Sequence, residues 1–197
     1  MPTGTPTCVL AHGAGAGQSS TWMRHAAEAF SARGIQVVTF DFPYMAEGRK
    51  LPDKAPVLEQ AFIDVWTKAA ASATGPMFAA GKSMGGRMAS MVAARKAFTP
   101  APAGLVFFGY PLHPPAKPTQ RRDAHLPVIT VPMLFVHGTK DPFGTPEEMT
   151  ALSAGLPLST LALVEGGDHS LVTKRNRPVE DRWFDLVATW MVSQTGD

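Results

Sequence analysis

Three segments of this chain carry side chains that could together perform nucleophilic chemistry on an acyl carbon. The first is Gly81-Lys82-Ser83-Met84-Gly85-Gly86. A glycine-x-serine-x-glycine pattern between an apolar run at 77–80 and an amphipathic run at 84–98 reads as a sharp strand-to-helix turn that exposes a hydroxyl above a sheet. That turn strains the serine backbone. It also leaves room only for small neighbours, which Gly81 and Gly85 supply, and Gly86 lets the helix pack closely. A serine hydroxyl is a poor nucleophile at neutral pH; it needs a base, and the base needs an orienting acid. Asp141, in His137-Gly138-Thr139-Lys140-Asp141-Pro142, and His169, in Glu165-Gly166-Gly167-Asp168-His169-Ser170, each follow an apolar run. The turn alone also fits an incidental serine. Three separate segments delivering Ser83, Asp141 and His169 in the order serine, acid, histidine do not fit chance so easily.

Other residues compete for these roles. Asp168 adjoins His169, and neighbouring side chains seldom face each other, so it reads as a loop carboxylate. Asp41 ends the run at 35–40 and is the second candidate acid, although it precedes the serine. His137 ends a run and reads as a packed or supporting histidine, and His25 as a surface residue on a helix. His113 and His125 could line a pocket or face solvent. A tetrahedral intermediate needs two aimed backbone N–H groups. Met84, directly after the serine, offers one. The other is expected from His12-Gly13-Ala14-Gly15-Ala16-Gly17, with Ala14 the first choice and Gly13 the alternative. His12 is expected to hold that loop by hydrogen bonding.

Two nucleotide-binding readings fail on spacing. Gly75 to Ser83 approaches a phosphate loop, but five residues separate Gly75 from Gly81, Pro76 occupies a required position, and the intervening residues read as a strand. Gly13-Ala14-Gly15-Ala16-Gly17 approaches a dinucleotide fingerprint, but its third glycine comes one position early and Gln18 stands in its place.

The elements that must position these groups alternate along the chain. Apolar runs at 9–11, 35–40, 77–80, 104–110, 131–137 and 160–164 are continuous, as in strands covered on both faces. Helical stripes lie between them: Met23, Ala26, Ala27 and Phe30, stopped by Gly34; Leu58, Phe62, Val65 and Ala69; Met84, Met88, Met91 and Val92; and Trp183, Leu186, Val187 and Trp190. Thr145-Pro146-Glu147-Glu148 is a capping box with proline at the first helical position, and Gly155 closes that helix. The expected fold is α/β: a doubly wound, mostly parallel sheet of about six strands, in one domain spanning 1–197. In such sheets, ligands bind beyond the carboxyl ends of the strands, where Ser83, Asp141 and His169 fall.

Composition narrows the function. A chain of 197 residues that is 45% hydrophobic and 17% charged is an ordinary globular one. A net charge of +2 without a basic run argues against nucleic acid as a partner. The single cysteine, Cys8, lies in an apolar run and reads as a small buried hydrophobe. Residues 1–7 lack the features of a signal peptide, and no stretch approaches the roughly 20 apolar residues of a membrane span. A cytoplasmic protein with no membrane partner is expected.

Leu10-Ala11-His12-Gly13-Ala14-Gly15, Asp41-Phe42-Pro43-Tyr44, Gly81-Lys82-Ser83-Met84-Gly85-Gly86, Tyr110-Pro111-Leu112-His113, His137-Gly138-Thr139-Lys140-Asp141-Pro142 and Gly167-Asp168-His169 together resemble the α/β-hydrolase superfamily. The likeness is to its dienelactone-hydrolase-like branch, which is also similar to testis-expressed and chromatin-complex hydrolase-like proteins. The resemblance implies the α/β-hydrolase fold; the chain is expected to depart from larger members of the family by starting at the third of the usual eight strands and by having no cap domain. It also implies a Ser83–Asp141–His169 triad and no cofactor or metal. Dienelactone hydrolases use cysteine where this chain has Ser83.

The expected activity is hydrolysis of a small carboxylic ester or thioester through an acyl-serine intermediate. The alternative is a binding or scaffold protein that keeps the fold without turnover. The proline-rich segment 111–130 is expected to rim an open site. Its Lys117, Arg121 and Arg122 read as solvated surface charge, with preference for an anionic substrate as the other reading.

Overall fold

The computed structural model describes residues 4–174 and 177–195. Residues 1–3 of the N-terminal stretch, and 175, 176, 196 and 197 of the expected 1–197 domain, lie outside the described residues.

Six strands form one parallel sheet in the order β2-β1-β3-β4-β5-β6. They are β1 (Thr7–Ala11), β2 (Gln36–Phe40), β3 (Met77–Lys82), β4 (Gly104–Phe108), β5 (Met133–Gly138) and β6 (Ser159–Val164). The helices are α1 (Thr21–Ser31), α2 (Pro43–Ala46), α3 (Ala55–Ala70), α4 (Met84–Ala94), α5 (Pro146–Ala154) and α6 (Asp181–Ser193), with a 3-10 turn at Leu126–Val128. Among the described residues no helix is long and apolar enough to cross a membrane.

Successive strand residues point to opposite faces, and here both faces are covered. Val9, Ala79, Leu105, Phe107 and Phe135 join Phe62, Trp66, Met88 and Val92 of α3 and α4 in one core. Cys8, Leu10, Phe78, Val106 and Phe108 join Met23, Phe30, Phe184 and Val187 of α1 and α6 in the other. Continuous apolar runs in the sequence follow directly from this double burial.

Three boundaries differ from expectation for identifiable reasons. The run at 104–110 leaves the sheet at Phe108 because Gly109 turns to φ +61°. The run at 131–137 starts its strand only at Met133, after Pro132, which has no N–H to give to a ladder. The stripe through Phe98 ends as helix at Ala94. There Lys96 turns left-handed at φ 54° while Ala97 N–H donates to Val92 O at 3.1 Å, a helix-closing reversal built without glycine. Phe98 then folds back beside Phe62 and Trp66. By contrast, α5 begins as expected. Thr145 Oγ1 accepts from Glu148 N at 3.2 Å, and Thr145 N donates to Glu148 Oε2 at 2.9 Å.

Candidate functional site

Ser83 occupies the junction of β3 and α4 with φ 50° and ψ −116°, a conformation an L-residue adopts only under constraint. Its N–H is held by Phe108 O at 2.9 Å. Close packing imposes the turn: a Cβ on Gly81 would overlap the Gly85 backbone, and one on Gly85 would lie 2.6 Å from His12 O. The glycines of the motif are therefore spatial requirements.

Two further strand ends deliver the partners. Asp141 follows β5, and His169 lies in the loop after β6. Ser83 Oγ lies 2.8 Å from His169 Nε2, and His169 Nδ1 lies 2.7 Å from Asp141 Oδ2. The Asp141 side chain is fully buried, and its Oδ1 accepts from Phe143 N at 2.8 Å. A buried carboxylate can only accept, so Nδ1 carries the ring proton and the Nε2 lone pair faces the serine hydroxyl. Phe143 stacks on the imidazole at 4.2 Å between centroids.

The His169 loop rests on two glycines. A Cβ on Gly138 would overlap Gly167 O, and one on Gly109 would lie 2.7 Å from His169 O. Trp22 anchors the same loop from α1 by donating its indole N–H to Ser170 O at 3.0 Å. Gly109, Phe143 and Trp22 escape the sequence reading, which holds Gly138 only as part of the motif around Asp141. Gly109 alone leaves a signal, as a glycine inside an expected strand.

The competing residues have other work. Asp41 accepts from Gln18 N at 2.7 Å and Gln18 Nε2 at 3.1 Å, so it holds the glycine-rich loop and not His169. Asp168 accepts from Ser170 N and Val172 N, as a loop carboxylate would. His137 is buried and donates Nε2–H to Gly144 O at 2.9 Å, 3.6 Å from Asp141 Oδ2. Burial holds its pKa below the ordinary histidine value. His12 is buried too; Nδ1 donates to Gly13 O at 2.7 Å and Nε2 accepts from Phe42 N at 3.0 Å, which braces the loop. Burial also lowers its pKa.

His25, expected on the surface, is instead half-buried against Phe184, with Nε2 3.1 Å from Val179 O. His113 does not face solvent; it is buried, 3.0 Å from Glu148 Oε2, and ties segment 111–130 to α5. His125 lies 2.7 Å from Ser90 Oγ in a hollow away from Ser83.

Met84 opens α4, so its N–H is among the first-turn donors without an intrahelical acceptor. Ala14 lines the space in front of Ser83, and a Cβ on Gly13 would lie 3.6 Å from Ser83 Cβ. Tyr44 Oη donates to Ala14 O at 2.9 Å and fixes this loop.

Two clefts meet at Ser83, sharing Ala14 and Phe143. One, of about 350 Å³, is lined by Trp22, Met23, Lys82, His169 and Ser170. The other, of about 310 Å³, is lined by Leu58, Met84, Arg87, Met88, Pro111 and Arg122. Segment 111–130 thus contributes Pro111 and Arg122 to the rim, while its Arg121 pairs with Asp123 instead. No group of three or more His, Cys, Asp or Glu suited to a metal occurs among the described residues.

A Pyrococcus furiosus esterase superposes with a TM-score of 0.79 at 14% identity, over 100% of this chain and 85% of the other. A dienelactone hydrolase from Anabaena variabilis gives 0.75 at 20% identity, over 97% and 87%. A monoacylglycerol lipase from Paleococcus ferrophilus gives 0.71 at 18% identity, over 97% and 96%. At these identities the likeness is one of fold. No curated protein sequence matches the chain. The alpha/beta hydrolase domain model matches residues 4–190, and the chain belongs to that family.

Proposed function

We propose that this protein is a serine hydrolase that cleaves a small carboxylic ester or thioester through an acyl-serine intermediate. The observation that carries the reading is the unbroken hydrogen-bond chain from Ser83 Oγ through His169 to Asp141, 2.8 and 2.7 Å, assembled from the ends of three different strands. The names of the structural neighbours, esterase, lipase and dienelactone hydrolase, point the same way.

In this mechanism His169 Nε2 takes the Ser83 proton as Oγ bonds to the carbonyl carbon. The carbonyl oxygen becomes an oxyanion, met by the N–H groups of Met84 and Ala14. The intermediate collapses, the carbon–oxygen or carbon–sulfur bond breaks, and His169 gives its proton to the departing alcohol or thiol. Water, deprotonated by His169, then attacks the acyl-serine and releases the acid. Asp141 stays ionised throughout and fixes the ring in the productive tautomer.

The test is labelling by a fluorophosphonate probe together with hydrolysis of a short acyl ester. Wild type should do both and Ser83→Ala neither. A folded wild-type protein that fails both would be the binding or scaffold form of this fold.

A further inference from the structure

The cleft on the Met84 side of Ser83 contains two guanidinium groups with no acidic partner. Arg87, one turn into α4, and Arg122, in segment 111–130, line it together and also border the hollow that holds His125. Among the described residues neither makes an ion pair, and Arg87 Nε is buried without a hydrogen-bond partner. Asp53, a carboxylate on the same cleft, is already occupied: it receives Arg49 Nη1 at 2.7 Å and Tyr44 N at 3.0 Å. Asp123 is taken by Arg121. Burial and repulsion by the neighbouring Arg87 charge push the Arg122 pKa down. A buried guanidinium N–H left unpaired costs free energy that a bound anion would recover.

Which part of a substrate enters this cleft follows from proton delivery. His169 must reach the leaving-group atom, and it lines the Trp22 and Lys82 cleft but not the Arg87 and Arg122 cleft. The leaving group therefore lies on the Trp22 side and the acyl chain on the arginine side. The same cleft is walled by Leu58, Met84 and Met88, which suit a short run of methylenes.

Resting on the hydrolase reading above, we propose that Arg87 and Arg122 bind a carboxylate at the far end of the acyl chain. The preferred substrates are then monoesters or monothioesters of short dicarboxylic acids.

The experiment compares kcat/KM for monomethyl adipate with that for methyl hexanoate, which match in length and differ in the terminal carboxylate. Wild type should prefer the adipate ester by roughly ten- to a hundredfold, the span expected of hydrogen bonds to a charged group. The Arg87→Gln, Arg122→Gln double variant should bring the ratio to about one, chiefly through KM, and Arg122→Lys should keep part of the preference. A second pair moves the charge to the alcohol side: γ-acetoxybutyrate against butyl acetate. Its ratio should not respond to the arginine substitutions.

A wild-type ratio near one, on protein that labels with fluorophosphonate and cleaves methyl hexanoate, overturns this proposal and leaves the hydrolase reading standing. So does an arginine effect confined to the alcohol-side pair. Protein that neither labels nor cleaves any ester overturns both. The wild-type ratio needs no variant and decides the matter if a variant fails to fold.

Discussion

Phe143 and Asp141 hold His169 from two directions at once. The Phe143 ring stacks on the imidazole at 4.2 Å and 30°, while the Phe143 N–H donates to the same Asp141 carboxylate that receives His169 Nδ1. One residue thus restrains both the plane of the imidazole and the carboxylate that meets its Nδ1. Phe143→Ala should keep the backbone hydrogen bond and lose the stack. An aromatic pair contributes roughly 1 kcal/mol, so kcat should fall about fivefold, measured on a short acyl ester. An unchanged kcat would show that the carboxylate alone orients the ring.

Ser83→Ala and Ser83→Gly should both remove hydrolysis, yet differ in stability. Alanine keeps a Cβ at φ 50° and ψ −116°, whereas glycine relieves that strain. Glycine loses part of the gain to unfolded-chain entropy, leaving it more stable than alanine by roughly 1 kcal/mol. Urea denaturation of the two variants checks this; equal midpoints would mean the turn stores no strain.

The two candidate acids can be separated by matched substitutions. Asp141→Asn leaves a side chain of similar shape that can favour the wrong imidazole tautomer, and kcat should fall by roughly four orders of magnitude. Asp41→Asn disturbs only the anchor of Gln18 and should cost far less. A larger loss from Asp41→Asn would assign the acid role to the wrong residue.

Gly109→Ala should damage activity beyond its cost in stability. The position has φ +61°, and an added Cβ would sit 2.7 Å from His169 O and 3.3 Å from Asp141 Oδ2. The strain falls on the loop carrying His169. The expected signature is a fall in kcat of tenfold or more in protein that still unfolds cooperatively; full activity would mean the loop yields freely.

Stability should decline as pH falls below neutrality. His12, His125 and His137 have folded pKa values lowered by burial. The stability they contribute is present in full above the unfolded value of roughly 6.5, and is lost as pH falls from there through the folded values. His113, raised by the Pro114 carbonyl and by Glu148, acts oppositely: its contribution is full below the unfolded value and lost as pH rises through the folded one. Three groups oppose one, so Tm should drop between pH 7 and 5.5, less steeply in His137→Gln. A Tm that rises over this interval would contradict the assigned protonation states.

By itself the sequence determined the strand–helix alternation, because a sheet covered on both faces forces strand residues such as Val9 and Leu10 both to be apolar. It also determined the turn at Ser83, whose glycines answer steric demands within a few residues, and the capping box of α5. It located Asp141 and His169 because each directly follows a strand of a parallel sheet, so chain position alone gives the sheet edge. What lay beyond it depended on contacts between distant segments. Gly109 breaks β4 where the His169 loop passes, and Phe143 meets His169 only after β5 and β6 pair. Arg87 reads as one more polar residue on a helix, and Arg122 as one more surface charge. Only the tertiary structure sets them on one cleft beside Ser83, without an ion-pair partner among the described residues and with Arg87 Nε buried and unpaired.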